Sequence, residues 1–188
     1  MTVSPDGAEP DGRRRRGLRR RAALIEAALQ VVARDGAGAV THASVAAAAG
    51  LPRSAVSHHF ASIEDLLAAA LSSGTEQLAA AVPRPDAEGG LAWFATALVD
   101  YFEADPGRVA AGYELYLLAA RRPHLRPAVA RWTDLLAELA ARHTTDPDAA
   151  RVWATTVDGY FLQHLAHGTR PAAAELEGLL GALRTRRC

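Results

Sequence analysis

Apolar residues recur at three- and four-residue spacing along almost the whole chain, and no stretch alternates as a half-buried strand would. Arg19 to Gly36 reads as one amphipathic helix with Leu24, Ala28, Val31 and Val32 on its inner stripe. A second begins at Thr41 and carries Val45, Ala46 and Ala49; a third follows Pro52 with Val56 and Phe60 inward. Ser62-Ile-Glu-Asp65 resembles a capping box, weakened because Asp65 is shorter than Glu, and opens a long helix to about Val82 with Gly74 as its weak point. Pro83-Arg-Pro85 and Glu88-Gly-Gly90 then interrupt the pattern.

Beyond that break, Leu91–Ala104 is the next helix. Pro106–Arg122 follows with Val109, Tyr113, Tyr116 and Leu117 inward, then Leu125–His143 with Val129, Trp132, Leu136 and Leu139. Pro147–His167 has Val152, Trp153, Val157, Tyr160, Phe161 and His164, and ends at Gly168. Pro171 to about Arg184 has Leu176, Leu179, Leu180 and Leu183. Nearly every boundary is Pro or Gly. The expectation is an all-α chain of about nine helices.

Within it, Thr41 to Phe60 has its own punctuation. Thr41 can cap a helix, Gly50 reaches the left-handed backbone that ends one, and Pro52 suits the first position of another. Helix, glycine turn, helix is the helix-turn-helix pattern, whose second helix enters the DNA major groove. Arg53, Ser54, Ser57, His58 and His59 are left pointing outward, all able to donate hydrogen bonds and none acidic.

Charge strengthens this reading. The formal net charge is zero. Yet from Arg13 to Phe60 the arginines Arg13–Arg16, Arg19–Arg21, Arg34 and Arg53 face only Glu26 and Asp35. The remainder is mildly acidic, so a polyanion-binding front sits on a near-neutral body. Every basic side chain other than histidine is arginine, which grips phosphate bidentately. The one cysteine, Cys188, precludes an internal disulfide. No stretch approaches the twenty apolar residues of a membrane span, and Glu26 interrupts any secretory apolar run, so the cytoplasm is the expected location. Residues 1–17, rich in Pro, Gly and charge, read as a disordered basic arm.

These residues in this order resemble the TetR family of transcriptional regulators. The likeness runs from about Arg21 to Leu67, through Ala27-Ala28, Gly36, Thr41, Val45-Ala46, Ala49-Gly50, His59-Phe60 and Ser62 before Leu66. It implies a three-helix DNA-binding head over 18–65 and a helical ligand-binding and dimerisation body over 66–188. Ser57 and Ile63 depart from the family's usual tyrosine and lysine, both of which meet the DNA backbone. The implied function is a sequence-specific regulator, a repressor released from a double-stranded operator by a small-molecule effector. A helical enzyme or carrier that merely retains the hairpin is the alternative.

The DNA-binding residues expected are Thr41, Arg53, Ser54, Ser57, His58 and His59. For chemistry there is no phosphate loop, metal-spaced cysteine pair or nucleophile elbow, so no catalytic residue, cofactor or metal is expected. All aromatics but Phe60 lie in the body. The resemblance implies a pocket there, with Trp93, Tyr101, Tyr113, Glu114, Trp132, Trp153, Tyr160 and His164 as candidates. Asp100, Thr156, Asp158 and Gln163 are further polar groups near the aromatic faces. The leucine stripe of the last helix and Gly159 point to a homodimer through the last two helices. The helix from Ser62 would transmit a ligand-dependent tilt from body to head.

Overall fold

A computed structural model describes residues 9–82 and 90–185, with side chains over 12–82 and 90–183. Among the described residues there are nine α-helices and no strand. They are α1 Glu9–Asp35, α2 His42–Ala48, α3 Arg53–His59, α4 Ile63–Ala81, α5 Leu91–Ala104, α6 Pro106–Leu118, α7 Arg126–Ala140, α8 Pro147–His167 and α9 Ala173–Thr185. Short 3₁₀ turns at Ala37–Ala39 and Pro123–Leu125 precede α2 and α7. No described helix is long and apolar enough to cross a membrane.

The helix ends follow the local chemistry. Thr41 Oγ1 accepts from Ser44 N at 3.0 Å, and Ser44 Oγ accepts from Thr41 N at 2.9 Å, a complete capping box with serine in place of the usual Glu or Gln. At the other end of α2, Gly50 adopts φ 63°. Leu51 N then donates to Ala46 O at 2.9 Å and Gly50 N to Ala47 O at 3.2 Å, so two carbonyls that the helix leaves open are satisfied. Gly168 closes α8 the same way, with Thr169 N donating to His164 O. Pro52 lies one place earlier than expected, with extended backbone as the residue before α3 rather than in its first turn. The short Asp65 side chain does not complete a box with the Ser62 backbone. Its carboxylate accepts instead from the Ser62 hydroxyl at 2.8 Å, while Ser62 Oγ caps Asp65 N.

The expected arm is corrected over half its length. Residues 1–8 lie outside the described residues, but α1 starts at Glu9, so residues 9–17 are helical. Pro10 sits in the first turn, where its missing N–H costs nothing, and arginine is a good helix former. That propensity outweighs Gly12 and Gly17, whose weakening had suggested a break.

Two buried clusters organise the chain. One joins Leu24, Val31 and Val32 of α1 with Val45, Val56, Phe60, Leu66 and Leu67, and continues into Ala111 and Leu115 of α6 and Leu125. The other gathers Leu78, Phe94, Leu98, Phe102, Tyr113, Trp132, Trp153, Phe161, Leu176 and Leu180. The first core therefore crosses the boundary drawn at residue 65. It does so because α6 is buried on two sides: Ala111, Leu115 and Ala119 face the first core, and Tyr113 faces the second. The spacing of Val109, Tyr113 and Tyr116 reveals only the second side. Leu117, expected inward, is 58% exposed, because the small alanines take the place against α1. Val152 of α8 and Leu179 of α9 are exposed.

Gly50 offers a direct test of the turn. A Cβ there would meet nothing within 4 Å, so substitution carries only the backbone penalty. Gly50→Ala should lower stability by about 1–2 kcal/mol and Gly50→Asn by less, read from urea denaturation.

Candidate functional site

The α2–α3 hairpin presents one polar surface. Thr41, Arg53, Ser54, Ser57 and His58 are exposed and His59 is half-buried, so all six expected residues lie on or beside the outer side of the hairpin. Val56 and Phe60, fully or nearly buried, hold the opposite side of α3 on α1. Ser57 Oγ donates back to Ser54 O at 3.3 Å. The surroundings are positive. The Arg21 guanidinium lies 5.1 Å from the centre of the Phe60 ring, which brings the α1 arginines alongside the end of α3. Burial, and then His58, Arg20 and Arg21, hold the His59 imidazole below its ordinary pKa. A proton is disfavoured there until negative charge arrives.

The body contains an aromatic cavity of about 40 Å³ between α1, α4, α5, α6 and α7. Tyr101, Phe102, Tyr113, Tyr116 and Trp132 supply its rings, Gly74 and Gly112 its open backbone, and Arg108 its one charged group. Tyr101 donates from its hydroxyl to Gly74 O at 2.9 Å, and burial pushes its pKa up to about 12. Behind two of the rings is Asp158. Its Oδ1 accepts from Tyr113 Oη at 3.1 Å and from Trp132 Nε1 at 2.9 Å. Burial raises its pKa, and these two hydrogen bonds only partly oppose the shift. No cationic side chain pairs with it among the described residues.

Of the eight expected pocket residues, the cavity brings together Tyr101, Tyr113 and Trp132. The other five do not line it, although His164 lines a second hollow at the end of α8. Trp93 is on the outer side of α5 and 38% exposed. Trp153 is sealed in the second core, stacked on His143. Tyr160 fastens the start of α9, accepting from Ala172 N at 2.7 Å, and His164 Nδ1 meets Thr169 Oγ1 at 2.7 Å. Glu114 points the other way: its Oε1 accepts from Ala37 N at 2.6 Å, immediately after Gly36 with φ 82°. Periodicity could not separate these roles, because pocket and core aromatics obey the same spacing. Asp158 was visible as a polar group on an aromatic helix face. Arg108 and Gly112 had no signal of their own, and Gly74 stood out only as the weak point of its helix.

Polar ties join the cavity wall to the head. Arg108 pairs with Glu26 of α1 and donates to Ser73 Oγ of α4 at 3.0 Å, leaving its buried Nε without a partner. Arg122 reaches Glu64 at 3.3 Å, and His124 Nε2 meets Asp65 Oδ1 at 3.0 Å. With the Glu114–Ala37 bond, these tie α6 and its following turn to both α1 and α4.

A glycine-turned hairpin with a basic flank, fixed to a helical body that encloses an aromatic cavity, defines a ligand-responsive, DNA-binding transcriptional regulator. The chain belongs to the TetR family. Residues 24–70 match the family model for bacterial regulatory proteins of the tetR family, and residues 86–186 match that for the tetracyclin repressor-like C-terminal domain. The fold is similar to the multidrug binding protein EbrR complexed with ethidium, at 35% identity over 87% of this chain and 98% of that one, TM-score 0.75. It is similar also to the TetR-family protein SCO1917 of Streptomyces coelicolor A3, at 35% identity over 87% and 97%, TM-score 0.79. A third likeness is to the regulator SCO7518 of Streptomyces coelicolor A3(2), at 26% identity over 89% and 99%, TM-score 0.74. No curated protein matches the sequence significantly.

The Glu114 tie is separable from the packing of α6. Glu114→Ala removes the acceptor of a backbone N–H on a buried residue and should cost about 1–3 kcal/mol in thermal or urea unfolding. Glu114→Gln, which retains an acceptor oxygen, should cost clearly less.

Proposed function

We propose that this regulator is a homodimeric repressor that leaves its operator when a flat aromatic cation enters the body. The observation that carries the ligand class is Asp158, a mostly buried carboxylate held only by neutral donors. The other charge at the cavity, Arg108, already has Glu26 as its partner. An arriving cation therefore compensates Asp158 and gains the faces of Tyr113 and Trp132 as well. Solved structures of EbrR, whose likeness spans most of this chain, hold ethidium, proflavin and malachite green. A binding titration with malachite green, together with a mobility-shift assay on DNA flanking the protein's own gene, tests it: dye must bind and must weaken the shifted complex. Dye that binds without altering DNA affinity would refute the switch.

On DNA, Arg53, Ser54 and His58 read base edges while Thr41, Ser57 and His59 approach the backbone. Arg20 and Arg21 add phosphate contacts. The charged rim supplies salt-dependent affinity, and the α3 side chains supply selectivity. Arg53→Ala is expected to cost about 1–3 kcal/mol on the operator and to relax selectivity at one position, measured against non-specific competitor. Loss of affinity that is uniform over all sequences would move Arg53 to the phosphates.

Asp158→Asn separates charge from shape. The amide oxygen still accepts from Tyr113 and Trp132, so the fold is retained. A carboxyl whose pKa is raised on folding binds its proton more tightly in the folded state. Its contribution therefore falls as pH rises from the usual carboxylate range through its own pKa, and at neutral pH the charge is a cost. Asp158→Asn is expected to be at least as stable as the parent at pH 7. Its affinity for malachite green should drop about tenfold or more, the scale of one charge-assisted contact.

For assembly, we assign the α8–α9 face to a second copy, forming a four-helix bundle. Val152, Leu162 and Leu179 are exposed there, and a Cβ on Gly159 would meet nothing within 4 Å. A mid-helix glycine costs about 1 kcal/mol relative to alanine, and nothing inside the protomer requires this one. Close approach of a partner helix does. Two-fold pairing also supplies two recognition helices for a near-palindromic operator. Val152→Glu combined with Leu179→Glu should convert a micromolar dimer to monomer in sedimentation while leaving helicity intact.

A further inference from the structure

The aromatic cavity is too small for the ligand class assigned to it. About 40 Å³ accommodates a few waters, whereas sites for drug-sized molecules span about 300–1,000 Å³. A second hollow, of about 410 Å³, lies between the end of α8, the turn that follows it and the α5–α6 corner. Two side chains, Phe102 and Val109, line both spaces. They stand on either side of the single corner residue Asp105, Phe102 near the end of α5 and Val109 in the first turns of α6. Phe102 rests flat on Phe161, with ring centroids 3.5 Å apart and planes 3° from parallel. Directly overlaid rings are a less favourable arrangement than offset or edge-on ones. This partition is therefore made of two side chains at a helix corner rather than of continuous backbone.

We propose that the two hollows are one effector site with a removable wall: the outer hollow is the vestibule, and Phe102 is the gate. A flat aromatic ligand enters between Thr169, Pro171 and Pro106, displaces the Phe102 ring, and lies on Phe161 in its place. Its leading end then reaches the inner rings, with Asp158 behind Tyr113. The rim holds Glu103 and Arg170, of opposite charge, so it has no strong preference for the sign of the entering molecule. Selection for positive charge falls to the inner chamber. The inference rests on the cavity being the effector site, and it adds the route, the volume and the gate.

Its test reads the route without relying on any effector. In a Cys188→Ser background, Ala70→Cys places one thiol in the inner chamber, at a position that is 1% exposed and does not line the vestibule. Its rate of modification by 2-aminoethyl methanethiosulfonate is then followed by mass spectrometry. Phe102→Ala should speed modification at least tenfold, and Thr169→Trp, which fills the vestibule, should slow it at least fivefold. Val109→Ala removes the other half of the wall and should accelerate the reaction too, should Phe102→Ala fail to fold. Rates indifferent to the available wall variant and to Thr169→Trp would overturn the proposal. So would acceleration by Arg108→Ala alone, which would place the mouth between α1 and α6. Malachite green titrations on the same variants keep the two readings apart. Gated thiol chemistry without dye binding supports the channel and sinks the ligand class. Dye binding to the parent with ungated thiol chemistry does the reverse.

Discussion

Helix α6 has to be buried on two sides at once, and the arrangement of head and body depends on that constraint. Its Ala111–Leu115–Ala119 side admits α1 closely because the alanines are small, and its Tyr113 side reaches across to α8. A helix in this position cannot move against one core without disturbing the other, since packed interiors resist small displacements. Burial of Ala37 adds a polar requirement. The turn after Gly36 leaves an N–H that the head does not satisfy, and Glu114 satisfies it from the body. Arg108 does the same service near the other end of α6, bridging to α1 and α4.

On this geometry, a switch of the kind proposed need not run through one helix alone. Reading the chain alone makes the helix after Ser62 the obvious transmitter, because it runs from hairpin to body. The structure gives α6 an equal claim: it walls the cavity, bears two of the polar ties, and contains Gly112 in its interior, which lowers helix stability by about 1 kcal/mol relative to alanine. A ligand that widens the cavity acts on α6 and α4 together. Coupling then needs only a difference in affinity between the two arrangements, with no contact between ligand and DNA.

The helices and their ends were legible because proline, glycine and capping side chains act locally. α5 and α8 begin and end where Gly90, Pro106, Pro147 and Gly168 place them. The exposure of the polar side of α3 was legible too, since outward polar residues on a short helix need no partner to be identified. The cavity was less so. Tyr113 and Trp153 sit at equivalent points of their helical patterns, and only the crossing of α5, α7 and α8 makes one a cavity wall and the other sealed core. Glu114 shows the same limit for charge. Its position beside Tyr113 on α6 suggested a pocket, while the neighbour that determines its role, Ala37, is 77 residues away.

The distribution of arginine has a kinetic meaning separate from any contact. Arg19, Arg20 and Arg21 stand exposed midway along α1, whereas the carboxylates are concentrated in the body. A chain of zero net charge built this way has an electric dipole along the axis from body to head. Near a polyanion it turns head-first before any hydrogen bond forms, and once so oriented it is drawn in by the steepening field. Its range is the Debye length, about 8 Å at physiological ionic strength, so it sorts encounters at the last few ångströms of approach.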